Sequence, residues 1–198
     1  MKKLISAALI SLFVVFAISA NAGPFEDGVA AYKRKDYVTA AKLMRVAADQ
    51  GNSVAQYNLG VMYDEGRGVI QDYKEALKWY QLSADQGYAD AQYNLGLMYA
   101  SGLGVTQDYK EAVKWYRLAA AQGNASAQSN LGFMYANAKG VTQDYVRAHM
   151  WWNISASSGL KNAEANRDII AKRMTPTQIE KAQEMARRCQ SSNYKNCD

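Results

Sequence analysis

The chain repeats itself with a period of 36 residues. Residues 53–88 and 89–124 are identical at 24 of 36 positions, and a third copy at 125–160 follows in the same register. A fixed period of about 20–50 residues is typical of solenoids, in which each copy covers the apolar surface of its neighbour. We therefore expect a stacked array of similar units rather than one globular core.

Each copy has the pattern of two helices joined by a loop that contains glycine. In the first copy, Leu59 and Met62 belong to one apolar stripe with helical spacing. Gly66 is placed to end that helix in the left-handed conformation that glycine adopts easily. Asp72 and Glu75 then have the spacing of a capping box at the start of a second helix. The sequence predicts an all-α fold.

Two further repeated features indicate close packing between the helices. Glycine stands inside the first helix of every copy, although it costs about 1 kcal/mol relative to alanine there. We interpret these glycines as points where a neighbouring helix approaches a bare backbone. The repeated tryptophans are expected in the core, because large aromatic side chains dominate protein cores. The glycines are Gly60, Gly96 and Gly132, and the tryptophans are Trp79, Trp115 and Trp151.

Both flanks of the three copies have the features of caps. Residues 23–52 keep the two-helix pattern without the glycine loop, and we interpret them as a degenerate first repeat. Residues 161–198 are predicted to add a helical cap. Its last helix is expected to begin at Thr175, with Pro176 in the first turn and Gln178 completing a capping box.

The cysteines and the N-terminus both indicate export. Residues 1–22 combine two lysines, an apolar run and a final Ala-Asn-Ala, which is the pattern of a signal peptide. A membrane anchor is the alternative, but the run is shorter than the roughly 20 residues that a spanning helix needs. Cys189 and Cys197 are the only cysteines, and in an oxidising compartment we expect them to form a disulfide. The predicted location is the periplasm or the exterior of the cell.

The charges exclude one class of partner. Removing the two lysines of residues 1–22 from 23 basic residues leaves 21, against 18 acidic residues, or a net charge of +3. These charges are mixed along the chain, whereas nucleic-acid binding requires clustered cations. We expect no nucleic-acid partner and no membrane span after cleavage, and the sequence has no motif for a cofactor or a metal.

The repeated motifs resemble a known family. Ala-Gln-Tyr-Asn-Leu-Gly-x-Met-Tyr at 55–63, Gly-x-Gly-Val-x-Gln-Asp-Tyr at 66–73 and Trp-Tyr-x-x-Ala-x-x-Gln-Gly at 115–123 are similar to Sel1-like repeats, relatives of the tetratricopeptide repeats. The resemblance covers residues 53–160. It implies a right-handed superhelix of paired helices, used as an adaptor or regulator, often in bacterial envelopes. We expect a monomer that binds a protein or peptide.

A superhelix of this kind has a concave surface lined by the first helix of each pair. Asn58, Asn94 and Asn130 hold the position that faces this groove in tetratricopeptide repeats. Primary amides donate and accept hydrogen bonds at once, which suits a peptide backbone. Tyr57 and Tyr93 are adjacent candidates for partner binding. The alternative is that each asparagine bonds a neighbouring helix or loop.

Signals for catalysis are weak. Ser158 and Lys161 match the Ser-x-x-Lys motif of serine β-lactamases, and some Sel1-like proteins bind or hydrolyse β-lactams, so this activity is the alternative function. The motifs that accompany Ser-x-x-Lys in those enzymes are absent. His149, the only histidine, aligns with Leu77 and Val113 of the other copies and is expected to be structural. We expect no enzymatic activity.

Overall fold

The computed structural model describes residues 23–195 and 197, so the predicted signal peptide at 1–22 lies outside the described residues. Within these bounds the chain forms ten helices and no strand. The helices are α1 (Pro24–Lys33), α2 (Tyr37–Asp49), α3 (Ser53–Glu65), α4 (Tyr73–Asp85), α5 (Ala89–Ser101), α6 (Tyr109–Ala120), α7 (Ala125–Ala136), α8 (Tyr145–Ser157), α9 (Lys161–Ala171) and α10 (Pro176–Ser191).

The helices stack in chain order. α1 pairs with α2, α3 with α4, α5 with α6, and α7 with α8; the second helix of each pair then packs against the first helix of the next pair. Helices of about 12 residues are marginal alone in water, so these contacts supply most of their stability. The prediction of an all-α solenoid of stacked helix pairs is confirmed.

The glycines inside the first helices lie under aromatic rings. A Cβ atom added to Gly60 or Gly96 would lie 2.6 Å from the ring of a tyrosine on the second helix of the same copy. At Gly132 the added atom would lie 2.7 Å from a tryptophan ring. The approach is therefore between a side-chain ring and a bare backbone, within one copy. The rings belong to Tyr80, Tyr116 and Trp152, respectively.

The glycine loops connect each copy to the one before it. Gly68 has φ +73°, and a Cβ atom there would overlap the carbonyl of Tyr37, at the start of α2. Gly104 and Gly140 stand in the same relation to the first residues of α4 and α6. Each loop thus lies on the N-terminal end of the preceding second helix, where only glycine fits.

The helix caps form at the predicted residues, but Glu75 does not complete the capping box predicted with Asp72. Thr175 and Gln178 form the expected capping box, with both reciprocal hydrogen bonds present. Asp72 accepts a hydrogen bond from the backbone N–H of Glu75 at 3.2 Å. The Glu75 carboxylate lies 3.8 Å from the Lys78 ammonium, so this glutamate pairs with a lysine one turn later on α4.

The C-terminal cap covers the outer side of α8. Both α9 and α10 pack against α8, and Met150 and Ile154 on that helix are completely buried. One repeat earlier the equivalent positions hold Lys114 and Leu118, which are exposed. The third copy therefore carries two buried apolar side chains where the cap lies, whereas the second copy carries an exposed lysine and leucine at the same positions.

The two cysteines are joined in the structure. Cys189 near the end of α10 forms a disulfide with Cys197, with their Cα atoms 4.8 Å apart. The backbone N–H of Tyr194 donates to the Cys189 carbonyl at 2.9 Å. The Tyr194 ring lies against Gly123, in the turn between α6 and α7. The tail is thus folded back onto the repeats.

Across the described residues, none of the helices has both the length and the apolar character that crossing a membrane requires.

Candidate functional site

The repeated tryptophans belong to the core, as expected. Trp79, Trp115 and Trp151 are 3%, 7% and 2% exposed. Because their surface is already covered by neighbouring helices, they offer no area to a partner. The side chains available for binding are therefore those that remain partly exposed on the first helices and at the two ends of the array.

Two of the three candidate asparagines are engaged inside the array. The Asn94 side chain lies beside the hydroxyls of Tyr57 and Tyr80, both in the preceding copy, and the Tyr80 hydroxyl itself donates to Asp64 at 3.5 Å. Asn130 lies beside the Tyr116 hydroxyl in the same way. Burial raises the pKa of the Tyr80 and Tyr116 hydroxyls, so both stay protonated at any physiological pH. These amides link each copy to the one before it.

Within residues 23–195, Asn58 has no tyrosine hydroxyl placed in the same way. The tyrosine that engages Asn94 or Asn130 lies 14 residues earlier in the chain, and 14 residues before Asn58 stands Met44, which has no hydroxyl. Asn58 therefore lacks the interaction that the other two amides make, and its side chain lies in the wall of a cavity. The prediction that it binds a partner stays a prediction.

The cavity beside Asn58 lies at the N-terminal end of the array and has a volume of about 360 Å³. Three helices contribute its walls, and most of the wall is apolar. Asn58 and Lys33 supply an amide and an ammonium group. The lining residues are Val29, Tyr32 and Lys33 from α1, Met44 from α2, and Tyr57, Asn58, Val61 and Met62 from α3.

The candidate tyrosines lie in different settings. Tyr57 lines this cavity and also packs against Tyr88, with ring centroids 5.1 Å apart. Burial raises the pKa of the Tyr57 hydroxyl. Tyr93 lies one copy further on, with its ring centroid 6.1 Å from that of Tyr116. The structure therefore brings Tyr57 together with Asn58 in one site and leaves Tyr93 outside it.

A row of apolar side chains continues from the cavity along the first helices. Val61 on α3, Leu97 on α5 and Phe133 on α7 occupy equivalent positions; Phe133 is exposed, and Val61 and Leu97 are half-buried. Phe133 is 46% exposed, which is unusual for a phenylalanine. We name Val61, Leu97 and Phe133 the first-helix row. Their variation between copies was visible in the sequence, but not their exposure.

A second cavity of about 420 Å³ lies beneath the C-terminal cap. Lys181 and Arg188 from α10 and Arg147 from α8 line it, together with Asp144 and the disulfide. Arg147 and Asp144 form an ion pair at 2.6 Å. This cavity was not predicted from the sequence, because the packing of α10 against α8 was not predicted.

The residues considered for catalysis are not assembled into a site. Ser158 is the C-cap of α8 and Lys161 is the first residue of α9; both side chains are exposed, and neither lines the two cavities. His149 is 3% exposed, and burial lowers the pKa of its imidazole. The expectation of a packed, structural histidine agrees with this burial. In the described part of the chain, no three His, Cys, Asp or Glu residues are grouped to hold a metal ion.

Comparison with known proteins supports the same architecture. The chain is similar to the crystal structure of a Sel1 repeat protein from Oxalobacter formigenes, with 36% identity and a TM-score of 0.69 over 73% of this chain and 60% of that one. It is also similar to a protective antigen present in uropathogenic Escherichia coli strains that displays an SLR fold, with 28% identity and a TM-score of 0.53 over 86% of this chain and 46% of that one. The chain thus spans about 60% or less of the length of these two structures. None of the curated proteins matches the sequence.

The Sel1 repeat model matches residues 22–52, 53–88, 89–124 and 125–160. The match at residues 22–52 falls on the N-terminal segment that we interpreted from the sequence as a degenerate first repeat. Sel1 repeat proteins generally act as scaffolds for protein interaction. With four matched repeats, stacked helix pairs and similar Sel1 structures, this chain belongs to the Sel1 repeat family.

Proposed function

We propose that this chain is an exported, monomeric scaffold that binds a protein or peptide along its first helices, as an adaptor or regulator in a bacterial envelope. The observation that carries the proposal is the first-helix row, which runs from the cavity beside Asn58 to Phe133. Apolar side chains that stay partly exposed at equivalent positions of successive copies form a continuous surface for a partner.

Export is supported by two sequence features. The first 22 residues have the order of charge, apolar run and small residues that signal peptidases recognise. The only two cysteines, one near the end of α10 and one in the tail after it, form a disulfide in the structure. Disulfides persist in oxidising compartments and are rare in the cytosol, so the pair agrees with a periplasmic or extracellular location.

A β-lactam-binding or β-lactam-hydrolysing role has little support. Ser158 is exposed in a turn after α8 and lies outside both cavities. A serine nucleophile requires an adjacent base and donors that stabilise the oxyanion. Incubation of the purified protein with a chromogenic β-lactam tests this alternative, and turnover that disappears in Ser158→Ala would favour it.

Capture of a partner from envelope extract tests the scaffold role. The bait is wild-type protein, and the test variant carries Val61→Ser, Leu97→Ser and Phe133→Ser. The matched control carries Leu82→Ser and Leu118→Ser, which alter aliphatic side chains that are 41% and 43% exposed on the second helices. We expect the test variant to lose the captured protein and the control to retain it. Loss of the protein in the control alone would contradict the proposal.

A further inference from the structure

We propose that the cavity beside Asn58 is a pocket for one apolar side chain of a peptide that carries acidic residues on both sides of it. This inference rests on the proposed scaffold function and names the chemistry of its partner. The site is confined to the N-terminal end of the array, because the features that create it occur only there.

The pocket exists because one side chain differs from the repeat pattern. Position 44 corresponds to Tyr80 and Tyr116 of the next two copies, whose rings fill the space over Gly60 and Gly96. In the N-terminal copy this position holds Met44. The glycine beneath it is retained as Gly28, whose added Cβ atom would lie 3.2 Å from Met44 Cε. Met44 Cε therefore takes the place of the ring over Gly28, but this side chain has no hydroxyl group that could reach Asn58.

The apolar wall selects a hydrophobic group. Val29, Met44 and Val61 face the cavity from three different helices, so a side chain that enters is surrounded on several sides. A volume of about 360 Å³ lies within the range of ordinary ligand pockets. Methionine walls adapt their shape, which suits a leucine, methionine or phenylalanine side chain equally well.

The Asn58 amide supplies hydrogen bonds to the backbone of the incoming peptide. Its equivalents Asn94 and Asn130 lie beside tyrosine hydroxyls, and the loss of that hydroxyl at Met44 leaves Asn58 without the same partner. A primary amide donates to a carbonyl and accepts from an N–H group. One peptide unit beside the apolar side chain satisfies both halves of the Asn58 amide.

The charges around the mouth select acidic neighbours. Lys33 lines the cavity, and Arg34 and Lys35 follow it as exposed residues at the end of α1. Asp36, the next residue, accepts the Thr39 N–H at 3.1 Å as the cap of α2. Lys33 in the cavity wall, with Arg34 and Lys35 next to it in the chain, gives this end of α1 a positive charge that attracts a peptide in which carboxylates flank the anchoring side chain.

The decisive variant is Met44→Tyr, which restores the side chain of the other copies. The new ring is expected to lie on Gly28 and its hydroxyl to reach Asn58, so the variant removes the pocket while the protein stays folded. The probe is the synthetic peptide Gly-Asp-Glu-Phe-Asp-Glu-Gly, followed through the backbone amide NMR signals of the wild-type protein. Control peptides replace Phe by Ser, or all four acidic residues by Lys.

We expect saturable shifts at Val29, Asn58 and Val61, with binding at least tenfold weaker for either control peptide. Met44→Tyr is expected to weaken binding of the probe at least tenfold while raising the melting temperature. Lys33→Ala should also weaken binding, whereas Lys161→Ala, at the other end of the array, should not. Equal binding by wild type and Met44→Tyr, or shifts confined to other helices, would overturn the proposal.

The proposal for the pocket and the proposal of a scaffold role can be refuted independently of each other. If Met44→Tyr still captures the envelope partner but wild type does not bind the probe, the scaffold function stands and the pocket assignment is wrong. Sedimentation of wild type and Met44→Tyr over a range of concentrations tests whether a second copy of this chain occupies the pocket. Self-association that disappears in Met44→Tyr would assign the pocket to this chain and overturn the peptide proposal.

Discussion

The side-chain amide of Gln86 donates to Oε1 of Gln56 at 2.7 Å, which links the end of one copy to the first helix of the same copy. Gln56 in turn donates to the carbonyl of Ala48 in the preceding unit at 3.1 Å. The arrangement recurs one copy later, where Gln122 donates to Gln92 at 2.8 Å. The buried amides of Gln56 and Gln92, each held by an exposed glutamine at the end of its copy, form a relay that crosses the junctions between copies.

The relay ends at Gln128. Its amide N–H donates to the Ala120 carbonyl at 3.2 Å, but its buried Oε1 has no hydrogen-bond partner among the residues that the structure describes. The residue that corresponds to Gln86 and Gln122 is Ser158, whose side chain is too short to reach. We expect Ser158→Gln to supply the missing donor and to stabilise the fold by about 1 kcal/mol.

For a chain of this length, about 1 kcal/mol raises the melting temperature by about 2–4 °C, which differential scanning calorimetry resolves. Ser158→Ala serves as the control, since it changes the same residue without adding a donor. An increase of similar size in both variants, or in neither, would show that the Gln128 relay is not the cause.

Ala138 is strained at the end of α7. It has φ +55°, whereas the corresponding residues of the first two copies are Gly66 and Gly102 with φ +69° and +73°. The left-handed conformation costs a residue with a Cβ atom about 1–2 kcal/mol. Ala138→Gly is therefore expected to raise the free energy of unfolding by about 1 kcal/mol in urea titrations. Ala165→Gly, at an exposed position inside α9, should lower it by about 1 kcal/mol, and the same sign for both would contradict this explanation.

His149 makes the C-terminal cap sensitive to acid. Burial and the charge of Arg167 on α9 lower the pKa of His149 from its ordinary value of 6.5 in the unfolded chain. Above pH 6.5 the imidazole is neutral in both states; below it the unfolded chain binds a proton that the folded chain resists, so stability falls as the pH falls.

Substitution by leucine, which stands at the equivalent position of the first copy, tests this relation. We expect the decrease in melting temperature between pH 7.5 and pH 5.5 to be smaller in His149→Leu than in wild type. At pH 7.5 the variant should also be more stable, by about 1 kcal/mol, because within the described part of the chain the buried Nδ1 of His149 has no hydrogen-bond partner. Parallel pH profiles of the two proteins would rule out His149 as the titrating group.

The disulfide is expected to stabilise the cap rather than the array as a whole. Closing a loop of eight residues contributes about 2–3 kcal/mol by restricting the unfolded chain. Cys197→Ser should lower the free energy of unfolding by this amount and release the contact of Tyr194 with Gly123. Wild type in reducing agent should match the variant, and an unchanged melting temperature after reduction would contradict the prediction.

The repeat made most of the fold predictable. Its period, the helix-internal glycines and the loop glycines each correspond to a specific contact, at Gly60 against Tyr80 or Gly68 against Tyr37. The position of α10 was not predicted. Its signal was present, since Lys114 and Leu118 change to Met150 and Ile154 in the third copy, but an apolar residue in a helix does not by itself name the element that covers it.

The candidate site was predictable in position and not in detail. Sequence alignment placed Asn58, Asn94 and Asn130 at one repeated position, which the structure retains. It did not reveal that Asn94 and Asn130 lie beside tyrosine hydroxyls of the preceding copy, because these side chains meet only through the stacking of helices 14 residues apart in the chain. Met44 in place of a tyrosine was visible in the sequence, yet its effect on Asn58 required the packing of α2 against α3.

Hydrogen–deuterium exchange of the chain, alone and with its captured partner, tests most directly the claim that partners bind the first helices. The account predicts slower exchange in α1, α3, α5 and α7 on binding, with the largest change around Asn58 and little change along the outer sides of α4 and α6. Slower exchange confined to α4, α6 or α10, with α3 and α5 unaffected, would contradict it.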